Sequence, residues 1–119
     1  MNDLELELKQ FTGTTAYHRL YPKIVLTDGA LFLANKAECF WLMDVYASHL
    51  LTGIDGENEP FTVLKLVKED FAANVTIEDG NDNALATQHI EFTDFALTSI
   101  TLFGCWCGEY WVVMLPSEY

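Results

Sequence analysis

From Phe61 onward the apolar positions fall into short runs with a period near two, and before Phe61 they recur at helical spacing. Phe61 to Val67 is rich in β-branched and aromatic residues and reads as a strand, turned by Lys68-Glu69-Asp70. Asn74 to Glu78 alternates Val75 and Ile77 against Thr76 and Glu78, the pattern of a half-buried strand. Asp79-Gly80-Asn81-Asp82-Asn83 is a turn, because Gly and Asn tolerate positive φ. Ala86 to Phe92 predicts a third strand and Thr93-Asp94-Phe95 a corner. Leu97 to Trp106 and Glu109 to Leu115 predict a fourth and a fifth, joined at Cys107-Gly108 and stopped by Pro116.

The first half reads differently. Leu4, Leu6 and Leu8 alternate with Glu5 and Glu7 as in a strand, yet Leu4, Leu8 and Phe11 share a helical face and Glu5 precedes Lys9 by four. Good helix formers and a capping Asn2 or Asp3 predict a short helix over Asp3–Gln10, ended at Thr12-Gly13-Thr14-Thr15. Pro22 forbids a helix through Ala16–Leu26, which reads as a loop or a short extended piece. Thr27-Asp28-Gly29 opens a helix with Ala30, Leu33, Ala34 and Ala37 on one face. A further helix spans Cys39 to Leu51. Phe40, Met43, Ala47 and Leu50 line one side of it and Trp41, Val45 and Tyr46 much of the rest, so it is expected to be central and buried.

Helices first and short strands afterwards predict an α+β fold, with two or three N-terminal helices packed on a C-terminal antiparallel meander of about five strands. Connections this short leave no room for parallel crossovers within that half. A chain of 119 residues fits a single domain, residues 1–119, and its 50% apolar content supplies a core without metal or cross-link.

Charge narrows the partners. Lys plus Arg is 6 and Asp plus Glu is 18, giving −12. Phosphate backbones are bound by displacing counterions with Lys and Arg. No direct nucleic-acid binding and no membrane binding are therefore expected, and a basic protein is attracted. Cys39, Cys105 and Cys107 are an odd number, not a disulfide framework. Met1 to Gln10 lacks the basic start and apolar run of a signal peptide, and no apolar stretch approaches membrane length, so the expected location is cytoplasmic.

Several pieces occur together in order: Phe11-Thr12-Gly13-Thr14, Thr27-Asp28-Gly29, Trp41-Leu42-x-Asp44 with Ser48, Asp79-Gly80-Asn81, Gln88-x-Ile90, Thr93-Asp94-Phe95, and Leu115-Pro116-Ser117-Glu118-Tyr119. In this order the chain resembles a family of small uncharacterised proteins, a domain of unknown function, from bacteria, including cyanobacteria, and their phages and plasmids. The resemblance implies an independent small protein associated with mobile elements and implies no activity. It also implies proline where this chain has Ala96.

Asp44 is the most informative candidate, a carboxylate amid Phe40, Trp41, Leu42, Met43 and Val45. In an apolar setting it needs a partner. As a general acid or base it would work with Ser48 one turn on, His49, or His18 of the preceding loop, beside a ligand pocket of Tyr17, Tyr21 and Trp41. The structural alternative, a carboxylate tying the Thr12–Lys23 loop to the helix, is favoured. Cys105-x-Cys107 lacks the second ligand pair that zinc wants, and Asp79–Asn83 lacks the closing glutamate of a calcium loop, so neither metal nor cofactor is expected. Trp106, Tyr110 and Trp111 form an aromatic hairpin apolar on both faces, which something must cover. The leading expectation is a non-catalytic acidic interaction or regulatory module that binds itself, as a homodimer, or a basic protein. The alternative is a small enzyme or ligand-binding domain with its pocket at Asp44.

Overall fold

The computed structural model describes residues 3–119, and the candidate cap Asn2 lies outside them. The elements run α1 (Asp3–Leu8), β1 (Tyr17–Tyr21), β2 (Ile24–Thr27), α2 (Asp28–Lys36), α3 (Phe40–Thr52), β3 (Phe61–Glu69), β4 (Ala72–Glu78), β5 (Ala84–Ile90), β6 (Ser99–Trp106) and β7 (Trp111–Met114), then a 3-10 turn at Pro116–Glu118. The fold is α+β, with one seven-stranded mixed sheet in the order β1-β2-β7-β6-β3-β4-β5.

Three features correct the sequence reading. The stretch 16–26, expected as a loop or a short extended piece, is a two-stranded hairpin, with Pro22-Lys23 as its turn and Tyr17 paired to Thr27. Proline is harmless at a turn, where its missing N–H leaves no ladder bond unmade. The C-terminal strands are not a simple meander. β3 is their centre, with β4 on one side and β6 on the other, and the 91–98 segment carries the chain back across to place β6. Finally, β2 pairs in parallel with β7 through Ile24–Trp111, Val25–Val112 and Leu26–Val113, joining the two halves of the chain in one sheet. The connection between these two strands contains α2, α3 and β3 to β6, far more chain than the dozen or so residues a parallel crossover needs.

The helices lie on one face of this sheet. Thr27 caps α2, its hydroxyl accepting from the Ala30 amide at 3.2 Å. Leu33 and Ala34 of α2, and Leu42, Met43, Tyr46, Ala47 and Leu50 of α3, pack against Ile24, Leu26, Leu64, Leu66, Val75, Ile77, Leu102 and Val113 of the strands. At the centre the Tyr46 hydroxyl meets the Thr62 hydroxyl at 2.7 Å, and Thr62 donates to the Gly104 carbonyl at 2.9 Å. Burial pushes the Tyr46 hydroxyl well above its ordinary pKa, so it stays protonated. Gly104 is required here by close approach, since a Cβ would stand 2.6 Å from the Tyr46 Oη.

α3 is buried on one side only, a further correction. Its apolar residues are not equivalent: 42, 43, 46, 47 and 50 face the sheet, while Phe40, Asp44, Ser48 and Leu51 form a solvent-facing stripe. Helical periodicity puts Asp44 outside despite its apolar neighbours in sequence.

Gly104→Ala is expected to lower stability by about 1–3 kcal/mol through overpacking, and Tyr46→Phe by about 1 kcal/mol through one lost hydrogen bond. Urea unfolding at neutral pH measures both. A Gly104→Ala protein as stable as the parent contradicts the packing described.

Candidate functional site

The polar chemistry gathers where β1 meets the two main helices. Register shifts between Arg19 and Tyr21 in the β1–β2 pair. That irregularity lets both His18 and Tyr21 reach partners on the helix side: His18 Nε2 lies 2.8 Å from Asp28 Oδ1 at the start of α2, and the Tyr21 hydroxyl donates to Asp44 Oδ1 of α3 at 2.7 Å.

Asp28 is held from several sides. Its Oδ2 accepts from the Thr15 amide at 2.9 Å and the Thr15 hydroxyl at 3.0 Å, and its own amide donates to Thr14 Oγ1 at 2.9 Å. The bond from His18, then those from Thr15, hold its carboxyl far below the ordinary value of 3.8. An imidazole beside a carboxylate is the arrangement that orients a general base. Here the neighbouring hydroxyl bonded to the pair, that of Thr15, donates to Asp28 itself.

The catalytic candidates do not converge. Asp44 is exposed and accepts from Tyr21, a bond that raises the Tyr21 pKa above its ordinary 10.0. Ser48 donates to the Val45 carbonyl of its own helix at 2.9 Å. His49 Nε2 meets Gln88 Oε1 of β5 at 2.9 Å, and His18 is taken by Asp28. Of the ligand candidates, Tyr17 lies exposed on β1 and Trp41 is half-buried edge-on to Phe95. Three cavities, of about 260, 280 and 190 Å³, lie between α1 and the 3-10 turn, on β4–β5, and under the 54–57 loop. Asp44 lines none of these three.

The aromatic hairpin is divided by the sheet. Trp111 is only 2% exposed and packs on Trp106 at 5.5 Å, so it belongs to the core. Trp106 is half-buried, and its indole donates to Glu57 Oε1 at 3.2 Å, under the acidic loop. The chain itself thus covers the helix-side face of this hairpin. Tyr110 is half-buried beside Cys107, whose negative charge when ionised raises its pKa.

Cys39 and the Asp79 turn carry structural duties. Burial pushes the Cys39 thiol up to about 12, and it donates to the Leu33 carbonyl at 3.5 Å. Asp79 accepts from the Asn81 and Asn83 amides at 2.8 and 3.2 Å and closes its own turn. Among the described residues no group of three or more His, Cys, Asp or Glu side chains is placed to hold a metal ion.

The model of a family of unknown function, DUF6876, matches residues 2–119. The chain belongs to this family. Nothing among curated proteins matches it. A crystal structure of a protein of unknown function from Enterococcus faecalis is similar, with a TM-score of 0.55 at 13% identity, covering 82% of this chain and 91% of that one. That likeness concerns the fold alone.

In this DUF6876 chain several of the pieces that carry the resemblance are tying points. Glu118 is the one that sequence reasoning missed. Its Oε1 accepts from the Thr27 hydroxyl at 2.6 Å and the Leu115 amide at 2.9 Å, and its Oε2 from the Gly29 amide at 3.0 Å. The carboxylate therefore sits at the positive end of α2 and fastens the Leu115–Tyr119 segment to Thr27-Asp28-Gly29. A Cβ on residue 29 would stand 2.5 Å from Glu118 Oε1, which explains the glycine. The signal available in sequence was a lone glutamate two residues past a proline, with no periodicity to mark it.

Because the folded-state pKa of Asp28 is depressed, its contribution to stability is complete above 3.8 and is lost as pH falls toward the folded value. Asp28→Asn is expected to destabilise at pH 7 and to differ less from the parent near pH 3, read as urea midpoints. An equal difference at both pH values contradicts the assignment.

Proposed function

We propose that this protein is a non-catalytic interaction module that pairs with a second copy across the sheet face its helices leave open. The carrying observation is the character of that outer face. Pairing register puts Val25, Val112, Cys105, Phe103, Phe61 and Val63 there, extended by Met114 and by Tyr119, whose ring meets Phe61 and Phe103 at 5.3 and 5.6 Å.

Charge supports a second copy over a basic partner at this face. The charged outward strand positions are Arg19, Lys65, Glu69 and Glu78, two of each sign, so their formal sum is zero in a chain of −12. Lys65 pairs with Glu78 at 3.1 Å. Two acidic chains can meet here through a face with no net charge, whereas a basic protein finds no net charge to complement. Seven strands at about 4.8 Å spacing, averaging about 20 Å in length, give a whole face, polar and apolar together, of roughly 700 Å². That is close to the ~800 Å² per partner of a standard interface. A twofold pairing uses the same patch on both copies.

The alternative reading, an enzyme or ligand-binding domain at Asp44, draws less support from an exposed carboxylate already bonded to Tyr21. Sedimentation equilibrium is expected to show a concentration-dependent dimer. Val67→Lys and Thr101→Lys, which add like charges to both sides of the interface, are expected to shift it to monomer. A parent chain that stays monomeric up to its solubility limit overturns the proposal.

A further inference from the structure

The turn between β3 and β4 and the segment after β5 bring two aromatic rings to the surface. Phe71 is 63% and Phe92 72% exposed, and their rings stack with centroids 5.7 Å apart at 18°. The pair is anchored from beneath. The Thr93 amide donates to the Phe71 carbonyl at 2.6 Å, the buried Thr93 hydroxyl accepts from the Phe95 amide at 3.2 Å, and Lys68 Nζ donates to the Phe95 carbonyl at 2.8 Å. Two anchored phenyl rings left largely in water are not explained by folding, which favours removing apolar surface from solvent.

Glu69, Asp70, Glu91 and Asp94 flank the rings in sequence, and all four are exposed. None of the four is in an ion pair among the described residues. The neighbouring cations are engaged elsewhere, Lys68 on the Phe95 carbonyl and Lys65 on Glu78. Ring faces attract cations, and the surrounding carboxylates add to that field. A guanidinium is planar and weakly hydrated, so it stacks on a ring while its edge bonds a carboxylate; an ammonium is compact and strongly hydrated.

We propose that the Phe71–Phe92 pair is a docking site for an arginine side chain of a basic protein segment. The site stands apart from the aromatic cluster of the outer face: Phe61 begins β3, and Phe71 follows its far end. Glu69 is shared between this site and the outer face, so dimer formation is read separately in the test.

The test is calorimetric titration of the full chain with a short peptide of alternating arginine and glycine, and with its lysine counterpart. The arginine peptide is expected to bind several-fold more tightly. The Phe71→Ala/Phe92→Ala double variant keeps the net charge and is expected to lose about tenfold in affinity for the arginine peptide, with the preference over lysine erased. Unchanged affinity in a double variant whose circular dichroism is that of the parent overturns the site. So does equal affinity of the parent for the two peptides, or no binding at all. If the double variant instead abolishes dimer formation, the pair belongs to a second copy and the proposal fails.

Discussion

Two helices can shield only one face of a seven-stranded sheet, and most of this molecule follows from that constraint. α2 and α3 bury the inward row of the central strands, down to the Tyr46–Thr62–Gly104 contact. The outward row receives no helix. Val25, Val63 and Val112 are nonetheless buried, and on the same side Tyr119 packs on Phe61 and Phe103. The result is an outer face with an apolar patch around Phe61, Phe103 and Tyr119, beside polar positions such as Asn74, Thr76, Thr87 and Thr101 and a balanced set of charges.

Joining the two halves of the chain is the second requirement. The β2–β7 pair places the N-terminal hairpin beside the last strand, and Glu118 then reaches the start of α2. One carboxylate satisfies a helix-end amide, a cap hydroxyl and the amide of Leu115. Asp28 acts in a similar way one residue after Thr27, gathering Thr14, Thr15 and His18. His18 and Asp28 thereby hold the loop, the edge strand and the helix together.

The helices and most strands are legible in sequence because their signals are local. Thr27 announces a cap, and the alternation at Val75 and Ile77 announces a strand. What escapes is long-range. Pro22 hides a hairpin because a turn tolerates it, and nothing in β2 names β7 as its neighbour. The return of the chain through Thr93, Phe95 and Leu97, all buried, fixes β6 beside β3 and leaves no trace in strand spacing. Asp44 looks buried only when every apolar residue of its helix is given equal weight; the phase of α3 leaves one stripe in water. Phe71 and Phe92 carry no mark in sequence, since only the three-dimensional arrangement shows them stacked and exposed.

The central claim is that the outer face is open in one copy and closed by another. Cys105 reports on it directly, because it is half-buried on that face beside Val112, while Cys39 lies in the core. The most direct measurement is the rate of maleimide labelling of Cys105 in a Cys107→Ser chain across a range of protein concentrations. Faster labelling in dilute solution and progressive protection as concentration rises are predicted. A rate independent of concentration would contradict the pairing of two copies through this face.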